Sequence, residues 1–318
     1  MSTTSAISFA SFLEQHDDKA WAGVVASLLP SIHEVDRNAT QIWFAFFPLV
    51  LPRALAAADD RDALVWKLQL KGRYMLAEQI DTSHVFLYGH RYWPHVKRAV
   101  VEYAKTATTD GPALADRIRE VAATAAKAAK VDAALLLGIT AVAFMTLEQV
   151  GLEALESAPG AAAPGAALTP EQILSRRKRM PGKGLLGFLR SVDRRWPLTF
   201  DETRDNCTIE AINGQDLAMA SANDTRDYGK DDPRCVEGPI PIECRTAACG
   251  TCWVGVLAGA EHLSDVDDRE WRKMKEFGYI DTDETRPIVR LACRAKALGP
   301  VTVVIPTWNG VFGKLLEK

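Results

Sequence analysis

The placement of cysteine is the feature that most constrains this chain. Six cysteines occur in 318 residues, and all six lie after position 206. A secreted domain stabilised by disulfides is usually short and rich in cysteine throughout, so the pattern argues against that class. Cysteines gathered in one part of a long chain indicate a metal site instead.

Four of these cysteines have a spacing that suits a binuclear iron site. Cys244, Cys249 and Cys252 form the pattern C-x4-C-x2-C, and Cys293 follows within the sequence RLACR. Two irons bridged by two sulfides need four thiolates, and small residues between the first three allow the backbone to wrap closely and direct its N–H groups at the sulfurs. Zinc is the alternative metal, but zinc sites favour two C-x2-C pairs or added histidines, and this segment has one such pair.

The C-terminal third of the chain, from about residue 198 to 309, resembles the plant-type and adrenodoxin-like [2Fe–2S] ferredoxin domain. The likeness rests on the CRTAACGTC motif, the strand-like run after it, a capped acidic helix, the RLAC sequence and a final valine-rich strand. It implies a β-grasp fold and a [2Fe–2S] cluster. The ligands that it implies for the cluster are Cys244, Cys249, Cys252 and Cys293.

Two features depart from the family pattern without touching a ligand. Glycine is common in the family where Ala247 stands, so alanine would be strained there if the residue needs a positive φ. The stretch between Cys252 and Cys293 is also long, and we expect the extra length in Tyr279–Arg286.

Acidic side chains crowd the start of a helix that we predict between Ser264 and Phe277. Ser264 and Asp267 have capping-box spacing, and Gly278 can end the helix. The acidic residues suit the helix dipole and solubility, and in ferredoxins a comparable surface docks basic partners. The resemblance therefore implies a ferredoxin reductase and an electron-acceptor enzyme as partners. The residues that we expect to dock them are Asp265, Asp267 and Asp268.

The first half of the chain has a helical pattern. In residues 1–156 apolar side chains recur at three- and four-residue spacing. We predict one helix from Phe9 to Pro30, one that Asp59 and Asp60 can cap and that reaches Ile80, another from Pro112 to Lys130, and five or six helices in all. The predicted fold class is α+β, with an N-terminal all-α helical bundle followed by a C-terminal β-grasp ferredoxin domain.

The predicted domains are residues 1–156, a connector at 157–197 and residues 198–318. The connector begins with SAPGAAAPGAAL, a linker composition, and continues with a helix start at Thr169 and Gln172. Residues 176–195 then hold eight basic and one acidic side chain. This basic segment is a solvated linker, a docking peptide, an internal strap or a peripheral membrane contact, and it lacks a nucleic-acid reading module around it.

The two most apolar stretches are too short for a membrane span, which favours buried helices of a bundle. Gln41–Leu51 is interrupted by proline, and Ala133–Leu147 has fifteen uncharged residues, whereas a spanning helix needs roughly 20. The first residues also lack the basic start and apolar core of a secretory signal. We expect a cytoplasmic protein.

Five of the six histidines lie in the first half, and three of them, His84, His90 and His95, stand among aromatic residues. A helical bundle with inward histidines could hold haem. Gly89 and Pro94 break regular helical spacing, which favours histidines that cap helices, form hydrogen bonds or face solvent.

The predicted function is one-electron transfer by a carrier tethered to a helical docking domain. The chain has neither a G-x-G-x-x-G motif after a strand nor a P-loop, so it is not expected to draw electrons from a nicotinamide cofactor by itself. We interpret it as an electron carrier rather than an enzyme. Two alternatives remain: an enzyme whose helical half binds haem or another cofactor fed by the cluster, and a [2Fe–2S] redox sensor. Cys207 and Cys235 are left over, and we interpret Cys207 as a small buried apolar side chain in a strand.

Overall fold

The computed structural model describes residues 9–163, 168–178, 194–278 and 284–316, and its chain divides into two units. The first unit comprises Met1–Ala54 and Met75–Gly165, and the second comprises Leu55–Tyr74 and Ala166–Lys318. The first is helical and the second is built on a mixed sheet. The predicted α+β fold class is therefore confirmed.

Most of the described residues before position 158 are helical. In chain order the helices are α1 Phe9–Leu13, α2 Asp18–Leu28, α3 Glu34–Phe46, α4 Val50–Ala57, α5 Arg61–Lys67, α6 Trp93–Thr106, α7 Leu114–Ala129, α8 Ala134–Val150 and α9 Leu152–Ser157. α5 lies in the second unit, and the division between the units falls within α4.

Helix α8 forms the centre of the first unit. Every side chain from Leu136 to Leu147 is buried, and α3, α6, α7 and α9 all pack against this helix. A helix that is apolar on all its faces is stable only when other elements surround it. The apolar run that came close to a membrane span in the sequence is thus a core helix here.

The helices are shorter and more numerous than predicted. The helix expected from Phe9 to Pro30 is two helices, because Asp17 caps a second start by accepting a hydrogen bond from Ala20 N–H at 2.7 Å. Short polar side chains at such positions compete with helix continuation and favour a new start. The helix expected from Pro112 to Lys130 is α7, which Lys130 ends in a left-handed conformation.

The helix expected from Asp60 to Ile80 was predicted too long. Asp60 does cap it, with Ala63 N–H at 2.9 Å, but α5 ends at Lys67. Gln69 has a φ of 52°, which turns the chain out of the helix. The following residues enter a short strand of the second unit.

One helical stretch, Glu34–Ala57, is long and apolar enough to cross a membrane by length and composition. It is not continuous, since α3 ends at Phe46 and α4 begins at Val50. Half of its most apolar window is buried in the fold. This is weak evidence for a membrane span, because the core helix of a soluble protein meets the same criterion.

The second unit contains a five-stranded sheet and a separate two-stranded one. The strands are β1 Lys71–Gly72, β2 Arg195–Thr199, β3 Thr208–Ile212, β4 Trp253–Ala258, β5 Val289–Leu291, β6 Val301–Val304 and β7 Trp308–Asn309. The larger sheet has the order β3-β2-β6-β4-β5, in which β2 and β6 are parallel and the other neighbours are antiparallel. The remaining helices are α10 Pro170–Lys178, α11 Leu217–Ala222, α12 Asp268–Phe277 and α13 Gly313–Leu316.

Two of the three predicted caps in this unit are confirmed. Thr169 and Gln172 exchange backbone-to-side-chain hydrogen bonds of 3.3 and 2.9 Å, which is the predicted capping box of α10. Gly278 ends α12 with a φ of 80°. The predicted start of α12 at Ser264 is wrong, because Asp267 is the N-cap and accepts from the N–H of Arg269 and Glu270.

Residues Leu55–Tyr74 extend the second unit from within the first half of the sequence. β1 pairs with β7, and the carbonyl of Leu68 accepts from Val311 N–H at 2.8 Å. Gly310 packs so closely that a Cβ there would lie 2.4 Å from the Leu70 side chain. The predicted boundaries had kept residues 1–156 together. The larger parts of the basic segment 176–195 and of Tyr279–Arg286 lie outside the described residues.

Candidate metal centre

The loop from Cys244 to Cys252 turns tightly around its first cysteine. Three of its residues have a positive φ: Arg245 at 53°, Ala247 at 60° and Gly250 at 67°. Only glycine adopts such angles at little cost, so the loop holds strain at the other two positions. The strain anticipated at Ala247 is therefore present.

This curvature directs backbone donors at the sulfur of Cys244. The N–H groups of Thr246, Ala248 and Cys249 donate to its Sγ at 3.4, 3.3 and 3.4 Å. Three converging donors favour the anionic form of a thiol. The sequence predicted this wrapping from the small residues in the motif.

Strand pairing brings Cys252 of the motif close to the distant Cys293. Cys252 directly precedes β4 and Cys293 follows β5 by one residue, and Ala292 N–H donates to the carbonyl of Cys252 at 2.9 Å. The two thiols share a hydrogen bond, and Ala247 N–H also donates to the sulfur of Cys293. The distant fourth cysteine thus reaches the loop through the sheet.

The four thiols interact as two linked pairs. Cys244 is hydrogen-bonded to Cys249, and Cys252 to Cys293, while Cys249 and Cys252 interact electrostatically, as do Cys244 and Cys293. Cys252 and Cys293 are buried, whereas Cys244 and Cys249 are half-buried. The site therefore has an inner pair and an outer pair.

The surroundings shift the thiol pKa values in opposite directions. Burial acts to raise the pKa of Cys244, but the hydrogen bonds from Thr246 and Cys249 outweigh it and lower that pKa to about 6. The hydrogen bond from Cys252 lowers the pKa of Cys293, and the same bond, with burial, raises the pKa of Cys252. Each pair thus contains one thiol that is favoured as thiolate.

This donor set fits a [2Fe–2S] cluster. Within the part of the chain that the structure describes, no group of three or more His, Cys, Asp or Glu side chains is placed to hold a metal ion. A binuclear cluster needs fewer protein ligands for each metal than a single ion does, because each iron takes two thiolates and bridging sulfides complete its coordination. Two neighbouring pairs of thiols, with N–H groups already directed at their sulfurs, meet that demand.

Residues 207–298 match the family described as the 2Fe-2S iron-sulfur cluster binding domain. The C-terminal third is a ferredoxin-type [2Fe–2S] domain. Its cofactor is a [2Fe–2S] cluster, and the match supports a role in electron transfer. The match leaves the first half without a recognised family, and no solved structure matches the chain.

A buried ion pair supports the ferredoxin domain beside Cys293. The Arg290 guanidinium donates to both carboxylate oxygens of Glu270, at 2.9 and 2.8 Å, and Leu291 N–H donates to the same carboxylate at 2.9 Å. Both side chains of the pair are fully buried. This pair was not predicted, because its only signal in the sequence was an arginine in an otherwise apolar strand.

The acidic residues at the start of α12 are largely paired within the domain. Asp265 accepts from Arg286 at 2.7 Å, and Asp267 both caps α12 and pairs with Arg294. Asp268 lies in the first turn and is exposed. The net charge at the start of α12 is therefore less negative than its acidic residues alone would give.

The two remaining cysteines lie outside the thiol pairs. Cys235 is buried, donates to the carbonyl of Pro239 at 3.2 Å, and has its pKa raised by burial to about 12. Cys207 is half-buried and directly precedes β3, so its predicted place within a strand is wrong by one position. Burial also raises the Cys207 pKa.

Two histidines of the first unit, His84 and His90, form a closed hydrogen-bond chain. The Nε2 of His90 accepts from Ala163 N–H at 2.8 Å, so its Nδ1 carries the proton and donates to Nδ1 of His84 at 2.9 Å. His84 then donates from Nε2 to the carbonyl of Ile80 at 3.1 Å. Every ring nitrogen of the pair is used, which leaves no lone pair for haem iron.

Proposed function

We propose that this protein is a one-electron carrier whose [2Fe–2S] cluster is held by Cys244, Cys249, Cys252 and Cys293. The observation that carries the proposal is the convergence of backbone N–H groups on thiols that form two linked pairs. A reduced cluster carries one more negative charge than an oxidised one. Fixed N–H dipoles stabilise that charge without rearrangement, which suits a group that gains and loses single electrons.

The outer pair of thiols supports exchange of the electron at the protein surface. Cys244 and Cys249 are half-buried, whereas the inner pair is shielded. In this proposal a reductase supplies the electron and an oxidase, hydroxylase or similar enzyme receives it. Such a shuttle needs fast encounter rather than tight binding.

The start of α12 is the proposed docking site for a basic partner. Asp265, Asp267 and Asp268 lie together there, but arginine partners offset part of the charge of the first two. Electrostatic steering by this surface is therefore expected to be moderate, with a dependence on ionic strength.

The helical unit is proposed as a docking domain for a partner or a larger assembly in the cytoplasm. Its buried polar groups are satisfied internally, as His84 and His90 illustrate, which disfavours the alternative of a haem enzyme. The described residues of this unit form a packed core of their own, which supports its role as a separate binding domain.

The proposal is tested by reducing the purified protein and mixing it with horse cytochrome c, a basic one-electron acceptor. We expect a reversible one-electron couple with a paramagnetic reduced state, and electron transfer that slows as salt increases. Asp268→Asn should slow transfer at low salt by about twofold to fivefold, while an exposed control, Asp227→Asn, should change it little. Protein that binds no cluster after supply of iron and sulfide would contradict the proposal.

A further inference from the structure

The strand β1 is held rigidly in the ferredoxin-containing unit although it comes from the first half of the sequence. Lys71 pairs with Asn309 and Gly72 with Trp308. Arg73 N–H donates to the carbonyl of Thr307 at 3.0 Å. Gly72 has a φ of 82°, and a Cβ there would lie 2.4 Å from the same carbonyl, so only glycine fits.

This strand directs the Lys71 side chain at the residue before the first cluster cysteine. The ammonium of Lys71 donates to Oε1 of Glu243, and the hydroxyl of Thr251 donates to Oε2 of the same carboxylate at 3.0 Å. Thr251 is buried and lies between Cys249 and Cys252. Glu243 thus joins the two ends of the cysteine loop, and Lys71 joins that carboxylate from outside.

Building on the proposed electron-carrier function, we infer that Lys71 is a positioning residue that tunes the reduction potential of the cluster. A carboxylate beside Cys244 opposes the negative charge added by reduction. The ammonium of Lys71 offsets that carboxylate and favours the reduced state. The first half of the chain thereby contributes a charge to a redox site whose ligands all lie in the last third.

The geometry sets this pair apart from an ordinary surface ion pair. Both side chains are 46% exposed, and a pair of that kind usually contributes little because water screens it. Here the backbone of Lys71 is fixed by the strand, and the carboxylate also accepts from the buried Thr251. The charges are therefore held in place instead of averaging over many side-chain conformations.

The test is a redox titration of the full-length, cluster-loaded protein. Lys71→Met should lower the ratio of reduced to oxidised protein at a fixed potential about threefold, a shift of about 30 mV for one electron. Glu243→Gln should shift the potential in the opposite direction, because glutamine keeps the acceptor for Thr251 and loses the charge. Lys71→Arg should retain the wild-type potential.

Lys230→Met is the matched control, since Lys230 is an exposed lysine paired with Asp227 in the same unit. It should leave the potential unchanged, and iron content with thermal unfolding should show that all variants remain folded and loaded. Shifts of one sign in both Lys71→Met and Glu243→Gln would indicate a merely structural role and overturn the inference. So would a Lys71→Met potential equal to that of Lys230→Met.

Those outcomes leave the electron-carrier proposal intact, provided that the wild type shows a one-electron couple. A wild type with no reversible couple would overturn both.

Discussion

Two polar arrangements in the molecule differ: one lies in the helical unit and the other surrounds the cysteines of the ferredoxin domain. In the helical unit the Asp36 carboxylate accepts from the N–H groups of Tyr88 and Gly89 at 2.5 and 2.7 Å, and the pair His84 and His90 uses all four ring nitrogens. These networks end inside the fold. In the ferredoxin domain, donors instead converge on sulfur atoms, two of which reach the surface.

The difference separates polar groups that stabilise the fold from polar groups that can interact with a bound ligand. A closed hydrogen-bond network stabilises one arrangement of its side chains and leaves no free donor or lone pair for a ligand. Several N–H donors directed at one partly exposed sulfur can stabilise the negative charge that reduction of a cluster would add. On this comparison, we expect the redox chemistry at the loop around Cys244.

The largest expected effect is on cluster binding, and it should distinguish the inner pair of thiols from Cys207 and Cys235. Cys293→Ser should abolish nearly all cluster binding, because one iron then loses one of its two thiolates. Iron and acid-labile sulfide per chain, with the visible absorption, measure this directly. Cys207→Ser is the control and should load fully; full loading of Cys293→Ser would refute the assigned ligand set.

A second test removes the buried carboxylate that supports Cys293. Glu270→Ala leaves the fully buried Arg290 without its partner, and the loss is expected to be about 3–5 kcal/mol of unfolding free energy. Denaturant unfolding followed by hydrogen exchange should place the loss in the ferredoxin domain. Glu210→Ala, which breaks the exposed pair with Arg195, should cost less than about 1 kcal/mol. Equal losses of unfolding free energy in the two variants would contradict the expected difference between buried and exposed ion pairs.

A third test uses pH to open the closed network of the helical unit. Burial lowers the pKa of His90 to about 4, against an opposing effect of Asp81, while Arg91 lowers it further. The unfolded state therefore binds a proton more readily, so the stabilisation present above pH 6.5 is lost as pH falls towards 4. The loss is expected to reach about 3 kcal/mol.

Hydrogen exchange of α6 and α8 between pH 7 and 4 measures this loss. His90→Gln should flatten the pH dependence, and His95→Gln should preserve it. An unchanged slope in His90→Gln would show that other groups cause the acid sensitivity.

The smallest expected effect concerns the strain in the cysteine loop. Ala247→Gly should stabilise the ferredoxin domain by about 0.5–1 kcal/mol, because glycine adopts the φ of 60° without strain but loses more chain entropy. Thermal unfolding of the loaded protein measures the gain. Ala248→Gly, in the same loop without a positive φ, should be neutral or destabilising.

Much of the ferredoxin domain could be predicted from local sequence. The motif around Cys244, the valine-rich strand β6 and the glycine after α12 each carry their signal within a few residues. The cofactor followed from the spacing of the cysteines. In the helical half, the apolar run of α8 predicted a buried core helix for the same local reason.

The missed features depend on partners that are distant in sequence. Glu270 and Arg290 are twenty positions apart, and the sequence around neither residue indicates that the two form a pair. β1 has only two residues, too few for a strand pattern, so the membership of Leu55–Tyr74 in the second unit had no sequence signal. The helix predicted through to Ile80 failed for the same reason, since tertiary pairing outweighed helical periodicity there.

The pairing of β1 with β7 has a consequence for how the protein folds during synthesis. The hydroxyl of Thr307 bonds to the carbonyl of Arg73 across 234 positions, so the two-stranded sheet has a very high contact order. The early segment leaves the ribosome long before its partner strand exists, and contacts of such long range form late. Completion of the redox unit must therefore wait until β7 has been synthesised.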